Sequence, residues 1–276
     1  MKKISIITPC RNAERYIGET VESVLGQAAV AAGRVELEYI ICDGNSSDRT
    51  LAIVESYASP YIRVISEPDR GMYDALAKGL KAATGDIIAY LNAGDYYHRC
   101  AIDIVLDLFE RKHVRWLTGF TMYYNDSSCL TGAELPYRYR RELFACGFYS
   151  DKRFLPFVQQ ESTFWDASLN RLLDFELLAS FRYAGDYYLW LQFSRECDLQ
   201  IVKGYLGGFR RNAGQLSEDI DGYRREVRRM TRKPGLFDYL AAWFDFPVWH
   251  FAPAKLKKRL NSSGLFVYDH EKREWV

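Results

Sequence analysis

Residues 90–97 read YLNAGDYY and close the apolar run DIIAYL with an amide, Asn92, and a carboxylate, Asp95, separated by Ala93 and Gly94. A carboxylate among oxygen neighbours suits a hard divalent cation such as Mg2+ or Mn2+. A glycine lets the backbone come close to a ligand. Three other apolar runs end in similar groups: Pro9-Cys10-Arg11-Asn12 with Glu14 beyond, Asp43 before Gly44, and Glu67-Pro68-Asp69-Arg70. Acids left at the ends of buried segments are costly unless a cation or hydrogen-bond donors meet them. Any one of these is an ordinary polar loop, but together they describe a site for a metal ion and an anion.

The segments that would position these groups alternate. Apolar runs at 4–8, 37–42, 61–66 and 86–92 read as strands. Between them, Ile17, Val21, Val24 and Leu25, then Leu51 and Val54, then Tyr73, Leu76 and Leu80 fall at helical spacing, with Ser47 or Asp48 as the cap of the second helix. This is the pattern of an α/β fold with a mostly parallel sheet flanked by helices, in which ligands bind at the carboxyl ends of the strands. Farther on, 114–124 reads as one strand and 169–181 as one helical stretch. From about residue 220 the chain turns basic (YRREVRRMTRK), then aromatic (LFDYLAAWFDFPVWHF), then basic again (KLKKR).

The chain has no G-x-G-x-x-G after its first strand, no Walker-type phosphate loop and no G-x-S-x-G elbow, which weakens dinucleotide, P-loop and serine-hydrolase chemistry. Lys plus Arg is 37 against 36 Asp plus Glu, a balance that speaks against nucleic acid as a partner. Six cysteines show no metal-type spacing, and reduced thiols in the cytoplasm are expected. The N-terminal apolar run stops at Pro9, too short for a signal peptide, and no stretch reaches the roughly 18 apolar residues of a membrane span.

Taken in order, SIITPCRNAERYIGETVESVLGQ, YIICDGNSSDRT, SEPDRGMYDALAKGLKAATGDIIAYLNAGDYY and AGDYYLW resemble the inverting nucleotide-sugar glycosyltransferases of family 2, which have the Rossmann-like GT-A fold. The resemblance is dense over 3–97 and patchier over 158–217. It implies that Pro9, Arg11, Asn12 and Glu14 border the nucleotide and that Asp43 accepts from the base imide. Asp69 and Arg70 would line the ribose and diphosphate pocket, and Asn92, Ala93 and Gly94 would lie along the donor. Asp95 would hold Mg2+ or Mn2+, although NAGD carries one acid where paired aspartates are common. Asp186, in AGDYYLW, matches the catalytic base; its other reading is a helix N-cap, and the two are compatible. Within QQESTFW, where many relatives have His at the position of Gln160, Glu161 would meet sugar hydroxyls. Trp165 would either stack on the sugar or belong to the core. In GGFRRNAGQLS, Arg210 or Arg211 would grip phosphate, and Gln215 and Ser217 would order the loop.

The domain reading is a GT-A catalytic domain over 1–218, with a nucleotide-binding half (1–97) and an acceptor-binding half (98–218), followed by a basic, aromatic helical extension over 219–276. The expected function is transfer of a hexose from a UDP-linked donor to a hydroxyl of a cell-surface glycan or a polyprenyl-diphosphate-linked precursor. A sugar-phosphate nucleotidyltransferase and a non-catalytic glycan-binding protein are the alternatives. The extension is expected either to hold a cytoplasmic enzyme peripherally on the inner face of the membrane, to pack on the catalytic domain, or to form a homodimer face.

Overall fold

The structure, a computed structural model, describes residues 1–150, 154–211 and 214–276. Asn212 and Ala213 of the GGFRRNAGQLS segment lie outside the described residues. The first third of the chain forms the expected alternation: β1 (Lys3–Cys10), α1 (Ile17–Leu25), a single-turn α2 (Ala28–Ala31), β2 (Glu36–Asp43), α3 (Thr50–Ser56), β3 (Ile62–Ser66), α4 (Met72–Ala82) and β4 (Ile87–Tyr90). Asp48 accepts from the Thr50 N–H at 2.9 Å at the head of α3. Strand neighbours point to opposite faces. Ile6, Ile41 and Ile87 therefore enter one core, while Ile7, Ile40 and Ile88 enter the other. A sheet with both faces covered needs apolar residues on both, which is why its strands read as continuous apolar runs.

Then follow β5 (Tyr96–Tyr97), α5 (Ala101–Arg111), β6 (Trp116–Thr118), β7 (Thr121–Tyr124), β8 (Leu130–Glu134), α6 (Arg141–Ala145), β9 (Phe164–Asp166), α7 (Phe175–Ser180), α8 (Gly185–Phe193), β10 (Gln200–Val202) and β11 (Gly207–Arg210). The chain ends with α9 (Ile220–Met230), α10 (Leu236–Phe251), α11 (Ala254–Leu260), β12 (Leu265–Phe266), β13 (Tyr268–Asp269) and β14 (Glu274–Trp275). The main sheet has the order β12-β10-β6-β9-β4-β1-β2-β3. Its pairings are parallel except for β9, which runs antiparallel to both β4 and β6. A smaller sheet, β5-β11-β7-β8, stands beside it.

Three stretches differ from the sequence reading. Residues 114–124 are two strands in different sheets, because the chain turns at Phe120, whose N–H bonds Gly204 O at 3.1 Å. Residues 169–181 are broken at Asp174, whose carboxylate caps α7 by accepting from the N–H groups of Glu176 and Leu177 at 2.9 and 3.0 Å. The region after 218 is not helical throughout: β12 pairs in parallel with β10 and forms an edge of the main sheet.

Trp165 sits on β9 in the middle of the sheet and is fully buried, its ring 6.0 Å from Trp190 and 5.5 Å from Phe193. Its indole N–H donates to Asn170 Oδ1 at 2.9 Å. A ring so enclosed cannot stack on a sugar; of the two readings offered for it, the structure has the core one. Trp165→Ala should lower stability by about 3–5 kcal/mol, read as a shifted urea midpoint with an unchanged slope. An unshifted midpoint would contradict the placement of this ring.

Candidate active site

The register sets the polar groups side by side. Cys10 lies opposite Asp43, Asp43 opposite Ser66, and Ile7 opposite Tyr90, so β1 to β4 end at one edge. Asp43 is buried there, accepting from Ser66 Oγ at 2.8 Å, from Ser46 N–H at 3.1 Å and from the Ser46 hydroxyl. Asn12 accepts from Ser47 N–H at 2.9 Å and Glu14 from Arg49 N–H at 3.1 Å, which ties the loop after β1 to the loop after β2. Arg11 is exposed beside them. Asp69 lies directly over Gly44, where an added Cβ would come within 2.2 Å of its Oδ2. Arg70 is turned to Asp74 at 3.2 Å and Glu176 at 3.9 Å.

Beyond β4 the chain turns at Gly94, whose φ of 111° is reserved for glycine. This turn buries Asp95. Its Oδ1 accepts the Arg210 N–H at 2.9 Å and its Oδ2 accepts from Gln160 Nε2 at 3.3 Å. Burial pushes the Asp95 carboxyl up to about 7, against the pull of the Arg210 N–H and charge. The Arg210 guanidinium is itself buried: it donates to Gly94 O at 2.9 Å and Asp126 O at 3.1 Å and pairs with Glu19. Of the two arginines considered for phosphate, Arg210 is thus a structural clamp. Arg211 lies over the Tyr123 ring at 3.8 Å and lines the cleft.

Asp186 opens α8. Its Oδ1 accepts from Tyr187 N–H at 2.7 Å and from the Tyr73 hydroxyl at 3.3 Å, and its Oδ2 accepts from the Tyr223 hydroxyl at 3.4 Å. Burial pushes this carboxyl up to about 6, against the pull of those donors. Gly185 makes the Tyr73 contact achievable, because a Cβ there would lie 2.4 Å from the Tyr73 ring. The turn carrying Asp186 is held from α9: Glu226 accepts the N–H groups of Arg182, Tyr183 and Ala184 at 3.0, 2.9 and 2.8 Å. Tyr223 and Glu226 escaped the sequence reading, where α9 showed only its basic character.

Asn92, Ala93, Asp95, Glu161, Asp186 and Arg211 line one cleft of about 450 Å³, together with Tyr73, Gln160, Tyr223 and the 215–218 segment. Pro9, Arg11, Asn12, Glu14, Asp43, Asp69, Arg70 and Gly94 are outside its wall; the first six stand at the adjoining carboxyl ends of β1 to β3. Gln215 donates to Arg210 O at 2.8 Å and so orders the start of its loop.

Among the described residues no group of three His, Cys, Asp or Glu surrounds a metal position. The oxygens present nevertheless suit a hard ion. Asn92 Oδ1 and Gln160 Oε1 are buried, have no hydrogen-bond partner among the described residues, and line the same cleft as Asp95. Carboxylate and amide oxygens are the ligand class that Mg2+ and Mn2+ prefer.

A mostly parallel sheet with an antiparallel strand at its centre and acids along one edge is the GT-A architecture, and solved structures bear this out. Staphylococcus aureus TarS 1–349, in complex with UDP-GlcNAc, superposes with a TM-score of 0.63 at 15% identity, covering 95% of this chain and 79% of that one. The mannosyltransferase PcManGT of Pyrobaculum calidifontis, in complex with GDP-Man and Mn2+, gives 0.59 at 14% identity, covering 95% and 74%. The sequence profile described as Glycosyl transferase family 2 matches residues 5–161, more than half of the chain, and the chain belongs to that family. A UDP-Glc:alpha-D-GlcNAc-diphosphoundecaprenol beta-1,3-glucosyltransferase of Escherichia coli is 25% identical over 206 residues, 72% of each chain. Chondroitin synthase of Escherichia coli is 34% identical over 110 residues, which is 39% of this chain and 15% of that protein.

The raised Asp186 carboxyl has a consequence for stability. Its folded-state value of about 6 lies above the ordinary carboxylate value of about 4. What the protonated group contributes is therefore present below about pH 4 and lost as the pH rises through about 6. Asp186→Asn has no such loss. Its melting temperature relative to the parent should climb between about pH 4 and pH 7; a difference that stays flat with pH would show that the carboxyl is not perturbed.

Proposed function

We propose that this glycosyltransferase moves a hexose from a nucleoside diphosphate sugar, UDP-linked, to an acceptor hydroxyl with inversion at the anomeric carbon. The observation that carries the reading is Asp186: a carboxylate with a raised affinity for protons, facing the same cleft as Asp95 and the diphosphate-side residues. A base needs this reach and this affinity, since a carboxyl near 6 is ionised at neutral pH yet accepts a proton readily.

In this reading Asp186 takes the proton from the acceptor hydroxyl as its oxygen attacks the anomeric carbon. The bond from that carbon to the diphosphate oxygen breaks on the opposite face, and its electron pair leaves with the nucleoside diphosphate. Tyr73 and Tyr223 hold the base, and Glu226 holds the turn beneath it. Glu161 is assigned to sugar hydroxyls and Arg211 to a phosphate oxygen; both line the cleft. Asp43 and Asp69, at the ends of their loops, are assigned the base and ribose. Asp95, with Asn92 and Gln160, would hold Mg2+ or Mn2+, which when bound neutralises charge on the departing diphosphate. The acceptor proposed is a glycan or a polyprenyl-diphosphate-linked sugar; support comes from the E. coli relative, whose own acceptor is a diphosphoundecaprenol-linked sugar.

Asp186→Asn should lower turnover by about 10²–10⁴-fold with UDP binding by calorimetry nearly unchanged. The parent's kcat/KM should rise with pH on a limb centred at about 6 that the variant lacks. Unaltered turnover would remove Asp186 from the mechanism. Asp95→Asn should weaken UDP binding in Mn2+ and leave metal-free binding little changed; identical titrations of variant and parent in Mn2+ would overturn the metal assignment.

A further inference from the structure

α10 carries its faces in an inverted order. The positions turned to the protein, Asp238, Ala242, Asp245 and Trp249, recur at helical spacing, and two of them are carboxylates. Asp238 pairs with Arg232 at 2.6 and 2.9 Å, and Asp245 pairs with Arg140 at 2.6 and 2.9 Å. The positions turned outward are Leu236, Phe237, Leu240, Trp243, Phe244 and Phe251, with Phe237, Trp243 and Phe251 respectively 84%, 71% and 77% exposed. An amphipathic helix of a solvated domain would show the reverse. A contiguous exposed apolar face of this kind marks a docking surface.

What lies beside this face identifies its partner. A cavity of about 610 Å³ runs between α9 and α10, bounded by Tyr239 and Trp243 on one side and by Arg224, Arg228, Arg232 and Lys233 on the other. Among the described residues, every charged side chain in its wall is a cation. Arg228 and Lys233 are exposed and form no ion pair among the described residues. From these observations we infer that α10 and this cavity dock the protein on an anionic lipid bilayer. The outer face of α10 enters the headgroup boundary, Trp243 sits at headgroup level, and a lipid phosphate occupies the cavity. The helix lies in the plane of the surface rather than across it. Its inward carboxylates are tied to the protein, and no helix among the described residues is long and apolar enough to span. A second copy of the chain suits this surface less well, since a two-fold contact would bring the cations of both copies together.

The docking surface adjoins the catalytic cleft: Tyr223 lines the cleft, while Arg224, the next residue of α9, lines the cavity. A sugar carried on a membrane lipid would thus be presented close to Asp186. Bilayer binding is measured without turnover, so its failure is separate from that of the functional reading.

The test is co-sedimentation of the full chain with phosphatidylcholine vesicles made with and without phosphatidylglycerol. The parent should bind the phosphatidylglycerol vesicles at least about tenfold more tightly, and added salt should erase the difference. F237S/W243S, at exposed positions, should weaken binding to them by about tenfold or more. R228E/K233E should weaken binding to the anionic vesicles alone. Calorimetric UDP binding should be unaltered in both variants, which shows that they are folded. A parent that stays in the supernatant, or that binds both vesicle types equally, overturns the proposal. So does a dimer in light scattering that F237S/W243S splits into monomers, because the occupant would then be a second copy.

Discussion

One buried guanidinium holds the carboxyl-end edge of the sheet together. Arg210 is almost wholly enclosed, and burying such a charge without partners would be strongly unfavourable. Its partners come from separate parts of the chain: Glu19 on α1, Gly94 O after β4, Asp126 O after β7, and the faces of Tyr16 and Tyr96 at 5.5 and 5.6 Å. Its own N–H meets Asp95. Because Arg210 ends β11, these contacts hook the smaller sheet onto the carboxyl end of β4. The same residue thus ties the smaller sheet to the turn that carries Asp95, whose carboxyl pKa is raised by burial and pulled down by Arg210.

The acids along this edge are treated in two ways. Asp43 receives three hydrogen bonds from two serines of neighbouring loops, and Asp69 accepts from Gly71 N–H at 2.9 Å. Both oxygens of Asp43 are met by donors, which tie the loop after β2 to the end of β3. Asp186 receives one short backbone bond and two long ones from tyrosine hydroxyls, at 3.3 and 3.4 Å. Long bonds of that kind return little of the solvation lost on burial. The carboxyl is left with a proton affinity that the fold does not use, and that residual affinity is what catalysis by a base requires.

How much of this was legible follows from the range of the interactions. The strands β1 to β4 and their helices are set by local periodicity, and the strand-end acids mark the edge in the sequence itself. Single residue types were a poorer guide. Arg210 and Arg211 are indistinguishable as letters, but Arg210 is the last residue of β11 and is buried as a clamp, while Arg211, just past the strand, lines the cleft. Trp165 looked able to serve a sugar and instead fills the centre of the sheet, because the three-residue β9 is paired on both sides. Tyr223 and Glu226 left no trace at all. They reach the Asp186 turn from a helix that starts 34 residues later (220 − 186) and whose arginines read as a solvated surface.

That long-range support changes what the last quarter of the chain is. A reading from composition makes 219–276 an appendage. In the structure, α9 supplies a hydroxyl to Asp186 and a carboxylate to the three N–H groups before it, and β12 closes an edge of the main sheet. The inner face of α10 is locked to α6's neighbour Arg140 and to Arg232 by two paired carboxylates. The short segment 231–235 joins α10 to α9, the helix whose Tyr223 and Glu226 hold the Asp186 turn.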